Sequence, residues 1–156
     1  ICATVRMTDK IDKIEKIEVD PIHSAIVDSC CLSMLIDGEI HEREIAHMRT
    51  FVAELLEVDE EVTELMIEDS KRRIEETKLE DFLDALPRRV PESGAQERLL
   101  FAGIIMEFVD GVFTMEEEGL VYAMASRFGI PEEHLESITY EAHQTYLHFI
   151  ESDALD

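Results

Sequence analysis

The chain has 156 residues, 46% hydrophobic and 33% charged, which suits one ordinary folded core and is too apolar for a disordered chain. Its 37 Asp and Glu against 14 Lys and Arg leave a formal net charge of -23. That balance excludes nucleic acid and anionic membrane surfaces as partners and favours cations and basic protein surfaces.

In chain order, residues 1–19 read as a lead-in whose charged stretch, Asp9 to Glu18, has helical potential. Asp20 then has the character of an N-cap, with Pro21 at the first helical position. The helix that follows runs to about Asp37 and is apolar nearly all round, from Ile22 through Ala25, Ile26, Val27 and Cys30 to Leu35, so it belongs inside a bundle. Cys2, Cys30 and Cys31 are an odd number with two adjacent, which predicts no disulfide framework and a reducing, cytoplasmic setting. Second and third helices are predicted over about 41–57 and 59–77. Residues 79–91 read as a connector: Leu79, Phe82, Leu83 and Leu86 require burial, and Pro87 and Pro91 are predicted to end any helix that precedes them.

The pattern then recurs. Ser93 and Gln96 have capping-box spacing, and the next helix, to about Val109, is again apolar all round. Its apolar run, Leu99 to Met106, ends at Glu107 and is too short to cross a bilayer. A helix over about 114–128 is stopped by Gly129, and a last one from Pro131 to about Glu151 carries the stripe Leu135, Ile138, Ala142, Tyr146, Phe149 and Ile150. Residues 152–156 are a tail. An offset of 73 superposes Asp37 on Asp110, Gly38 on Gly111, Glu44 on Glu117, Met48 on Val121 and Phe51 on Met124. This predicts an all-α single domain over 20–151. It would arise by duplication of a helix, Asp-Gly turn and helix unit, with repeats at 20–78 and 92–151 related by a pseudo-twofold axis.

The repeated turns, Asp37-Gly38-Glu39-Ile40 and Asp110-Gly111-Val112-Phe113, carry the candidate chemistry. Each aspartate stands at the negative end of a helix dipole, an unfavourable place unless the carboxylate closes an Asx turn or a cation offsets it. Glu44 and Glu117 fall in the first turn of the following helix, where an acid is favoured by the dipole alone and where Thr114 and Glu117 have capping-box spacing. Taken together, Asp37, Glu44, Asp110 and Glu117 form an oxygen-rich set suited to a hard divalent cation such as calcium or magnesium. The spacing matches the second half of an EF-hand loop, but Ser33 and Leu35, and Met106 and Phe108, stand where its earlier ligands would be. The six histidines show no zinc-site spacing, no glycine-rich phosphate loop is present, and no catalytic residue is assigned.

A mostly apolar helix ending in Asp-Gly, an acid seven residues after the Asp and then an amphipathic helix, all of it twice, resembles the tellurite-resistance protein B-like (TerB-like) domains. Asp110 to Glu117 followed by Ala123 to Pro131 is the closer copy; the first copy reads Leu56-Glu57-Val58-Asp59 where the family has a leucine-glycine turn. The resemblance implies a bundle of about seven helices and a metal site of paired acids, here Asp37, Glu44, Asp110 and Glu117. It also implies a non-enzymatic role in bacterial stress and tellurite resistance, through contacts with other proteins. A metal-free scaffold and a metal-assisted hydrolase using the same carboxylates are the competing expectations.

Overall fold

Helix α1, Pro21–Leu35, begins as its sequence predicts. The Asp20 carboxylate accepts a hydrogen bond from the Ile22 N–H at 2.8 Å, and Pro21, with no N–H to satisfy, occupies the first helical position. Every residue from Ala25 to Met34 is buried, so a helix apolar on all sides is enclosed on all sides. The computed structural model describes residues 20–36, 42–109 and 114–155, without the side chains of Arg43, Glu44 and residues 153–155. Among the described residues there are seven helices and no strand.

Helices α2 (Glu42–Leu56) and α3 (Glu60–Glu76) follow. Met48, Phe51 and Val52 are buried along the α2 stripe read from the sequence. Segment 79–91 departs from expectation. It contains a helix of its own, α4 (Leu79–Arg89), which passes through Pro87 instead of ending there. Proline removes one bond, to the carbonyl four residues back, and Pro87 lies so near the helix end that little of the ladder depends on it. The Val90 N–H still closes the last turn on the Leu86 carbonyl at 2.8 Å, and Phe82, Leu83 and Leu86 are buried as their spacing requires.

Helix α5 spans Ser93–Val109. The expected capping box is absent: Ser93 is already helical, and the Gln96 amide donates to the Val90 carbonyl at 3.0 Å, tying the helix start to the end of α4. Helix α6 (Met115–Phe128) is capped at both ends. The Thr114 hydroxyl accepts from the Glu117 N–H at 3.2 Å, and Gly129 takes a left-handed φ of 72°. The Ile130 N–H then reaches back to the Ala125 carbonyl at 2.9 Å in a Schellman arrangement. The last helix, α7, covers Glu132–Leu155. It buries Leu135, Ile138 and Ala142, but Ile150, expected on the same stripe, is 42% exposed.

The two all-apolar helices, α1 and α5, pack on each other more extensively than any other pair. Around them α2, α3 and α4 contact α1, while α2, α6 and α7 contact α5, and α4 also packs on α6. Gly103 lets α1 and α5 approach closely: a Cβ there would stand 2.6 Å from the Ser29 hydroxyl oxygen and 3.3 Å from that of Ser33. An ion-paired acid lies inside this core. Asp28 of α1, fully buried, accepts from Arg73 of α3 twice at 2.9 Å, from Arg89 of α4 at 2.8 Å and from the Ser70 hydroxyl at 2.5 Å. A carboxylate this enclosed is tolerated because its oxygens are paired with cations and donors.

Candidate functional site

Of the four carboxylates singled out from the sequence, the described residues place one. Asp37 and Asp110 lie outside them, with Gly38 and Gly111. Glu44 belongs to the first turn of α2, and its side chain is outside the description. Glu117 is the third residue of α6 and is 1% exposed. Its backbone N–H is the one capped by Thr114, so the N-terminal turn of α6 sets where its side chain enters the core. Where the other three carboxylates stand relative to Glu117 lies outside the described residues, and the internal duplication rests on sequence register alone.

A residue that the sequence reading passed over faces Glu117. Glu107, in the last turn of α5, is 1% exposed, and neither of its carboxylate oxygens has a hydrogen-bond partner among the described residues. Burial, and then the charges of Glu117 and Glu118, push its acid up to about 9. A buried carboxyl group of this kind is expected either to keep a proton or to take a cation. The signal was present in the sequence. Glu107 is an acid that interrupts an apolar helix at its negative dipole end, three residues before Asp110. It went unread because the 73-residue offset pairs it with Met34, so it is not one of the repeated acids.

The surroundings are apolar and aromatic. Met106, Leu120 and Val121 are buried beside the pair in sequence. Phe108 stacks on His143 and Tyr146 of α7, with ring centroids 4.9 and 6.0 Å apart, holding the end of α5 against α7. Hard divalent cations take carboxylate oxygens, so the donor chemistry of Glu107 and Glu117 fits one. Two carboxylates are fewer than a metal normally requires, and among the described residues no group of three or more His, Cys, Asp or Glu is placed to hold an ion. Cys30 and Cys31 are no part of any such site. Both are buried in α1, and burial pushes the Cys31 thiol up to about 12 and raises that of Cys30.

No described helix is long and apolar enough to cross a membrane. No curated protein and no solved structure matches the chain. The family model of tellurite resistance protein TerB matches residues 23–140, from the first turn of α1 into α7, and so takes in the whole α1–α5 core and the Glu107 and Glu117 carboxylates. On that match the chain belongs to the TerB family of tellurite resistance proteins.

Proposed function

We propose that this chain is a non-enzymatic helical module that binds a divalent cation, calcium or magnesium, at the α5 to α6 turn. It would act through protein contacts in a tellurite-resistance-like stress response, in a reducing, cytoplasmic setting. The observation that carries the reading is Glu107, a buried carboxyl group with neither oxygen hydrogen-bonded among the described residues and a second buried carboxylate, Glu117, beside it. A cation would offset the repulsion between the two acids. Glu107 and Glu117 would supply ligands, and Asp37, Glu44 and Asp110 are the further candidates from the sequence. Family membership supports the link to tellurite resistance, and the acidic surface suits basic partner surfaces.

A metal-free scaffold is the second reading, and one observation favours it: at neutral pH a proton on Glu107 relieves the repulsion between the two acids without any metal. Thermal unfolding separates the two. A ligand that binds only the folded chain raises the melting temperature with concentration. Calcium or magnesium chloride should therefore raise it beyond sodium chloride at matched ionic strength. Glu107→Gln should shrink that difference, and Asp37→Asn with Asp110→Asn should abolish it. Equal shifts in all salts, for the wild type and both variants, would leave the scaffold.

A further inference from the structure

We propose that the outer face of α6, formed by Met115, Gly119 and Tyr122 with the start of α7 beside it, docks an arginine-bearing segment of a partner protein. This rests on the protein-contact part of the reading above, to which it adds a surface and a partner chemistry, and it is independent of the cation.

The face is an unpartnered side of its helix. Helix α6 turns Glu117, Leu120, Val121, Met124 and Ala125 into the core. At helical spacing Met115, Gly119, Tyr122 and Ser126 fall in one row on the opposite side. Met115 is 86% exposed and Tyr122 42%, and a Cβ at Gly119 would meet nothing within 4 Å. Glycine inside a helix costs about 1 kcal/mol relative to alanine, and nothing packed against Gly119 requires it. It leaves the helix backbone bare between two large exposed side chains, so the row is an open shelf. Met and Tyr are residue types enriched where proteins meet, and here they share one row.

Charge selects the occupant. The Tyr122 hydroxyl donates to Glu132 of α7 at 3.4 Å. The carboxylates of Glu132 foremost, and of Glu118 and Glu136, hold its phenol above the ordinary tyrosine range. Over residues 99–156 the only Lys or Arg is Arg127. Helix α4 takes that arginine up, through Asp84 and Glu80 at 3.0 Å each. Three carboxylates around an exposed phenol are thus left without a cation from this part of the chain.

An arginine meets these features together. Its planar guanidinium stacks on a tyrosine ring and forks onto carboxylates, which an ammonium does not do. Apolar neighbours of the arginine would cover Met115, and the bare backbone at Gly119 lets a segment approach α6 closely. A second copy of this chain would set a net charge of -23 against itself, so the partner is a different protein.

The test titrates the full chain, followed by amide NMR, with a short synthetic peptide of Arg, Leu and Ala and with counterparts carrying Lys or Glu for every Arg. The Arg peptide should shift the amides of Gly119, Tyr122 and Glu136 first and bind more tightly than the Lys peptide, and the Glu peptide should not bind. Gly119→Lys fills the shelf and adds one positive charge, and should weaken the Arg peptide about tenfold. Glu64→Gln, on the exposed side of α3, changes the net charge equally and should have little effect. If Gly119→Lys fails to fold, Glu132→Gln with Glu136→Gln, set against Glu60→Gln with Glu64→Gln, makes the same comparison. Shifts spread evenly over the acidic helices, equal losses from the face and control variants, or equal affinity for the Arg and Lys peptides would each overturn the proposal. Binding that maps elsewhere would overturn this face and leave the protein-contact reading standing. No binding of either basic peptide would remove the basic partner with it, and the cation reading is decided separately by melting in metal salts.

Discussion

Glu107 is a carboxyl group enclosed by an apolar helix and held beside Glu117, and its proton has a consequence for stability. In the unfolded chain it ionises near 4.5; in the folded chain it holds its proton up to about 9. Below pH 4.5 both states are protonated and the site contributes nothing. As the pH rises from 4.5 to 9, the unfolded state gives up a proton that the folded state keeps, so folding becomes less favourable, by at most about 1.4 kcal/mol per pH unit. Above 9 the penalty is complete. In metal-free buffer, Glu107→Gln should therefore unfold like the wild type at pH 4 and at higher urea than the wild type at pH 8. A constant difference between the two across that range would show that Glu107 titrates normally in the folded chain. Asp28 is the opposite case, a carboxylate equally enclosed but met by Arg73, Arg89 and Ser70. Glu107, by contrast, is a buried acid whose oxygens have no hydrogen-bond partner among the described residues.

At the scale of the helices, the crossing of α1 and α5 organises the rest of the bundle. Alanine is favoured over glycine within a helix by about 1 kcal/mol, yet Gly103→Ala should destabilise this one. The added methyl would meet the Ser29 oxygen at 2.6 Å, and that hydroxyl is buried and donates to the Leu99 carbonyl at 3.3 Å. Overpacking of this kind costs about 1–3 kcal/mol. Adding Ser29→Ala should recover part of the loss, because the two side chains contend for one space. Chemical denaturation of both single variants and the double variant measures the coupling; strictly additive effects would mean that the crossing does not depend on Gly103. The sequence shows Gly103 only as a glycine in a helix, since what it touches belongs to a segment some seventy residues away.

For the molecule as a whole, the net charge of -23 sets the response to salt. Repulsion among the 37 acids opposes the compact state, and added ions screen exposed charges. Sodium chloride should raise the melting temperature at pH 7.5, and the rise should shrink near the sequence pI of about 4.4, where the net charge vanishes. A salt effect equally large at both pH values would rule out repulsion as its source. The helical class, the two all-apolar helices and the Asp20, Thr114 and Gly129 caps were legible in the sequence, because each depends on residues within a turn or two of one another. So was the family, through the paired Asp-Gly pattern and its spacing. Only the tertiary structure decided that α4 runs through Pro87, that α1 and α5 meet at Gly103, that Asp28 is paired with two arginines, and that Glu107 shares its burial with Glu117. Those features depend on which helix lies against which, and periodicity reports the face a residue occupies without reporting what packs upon it.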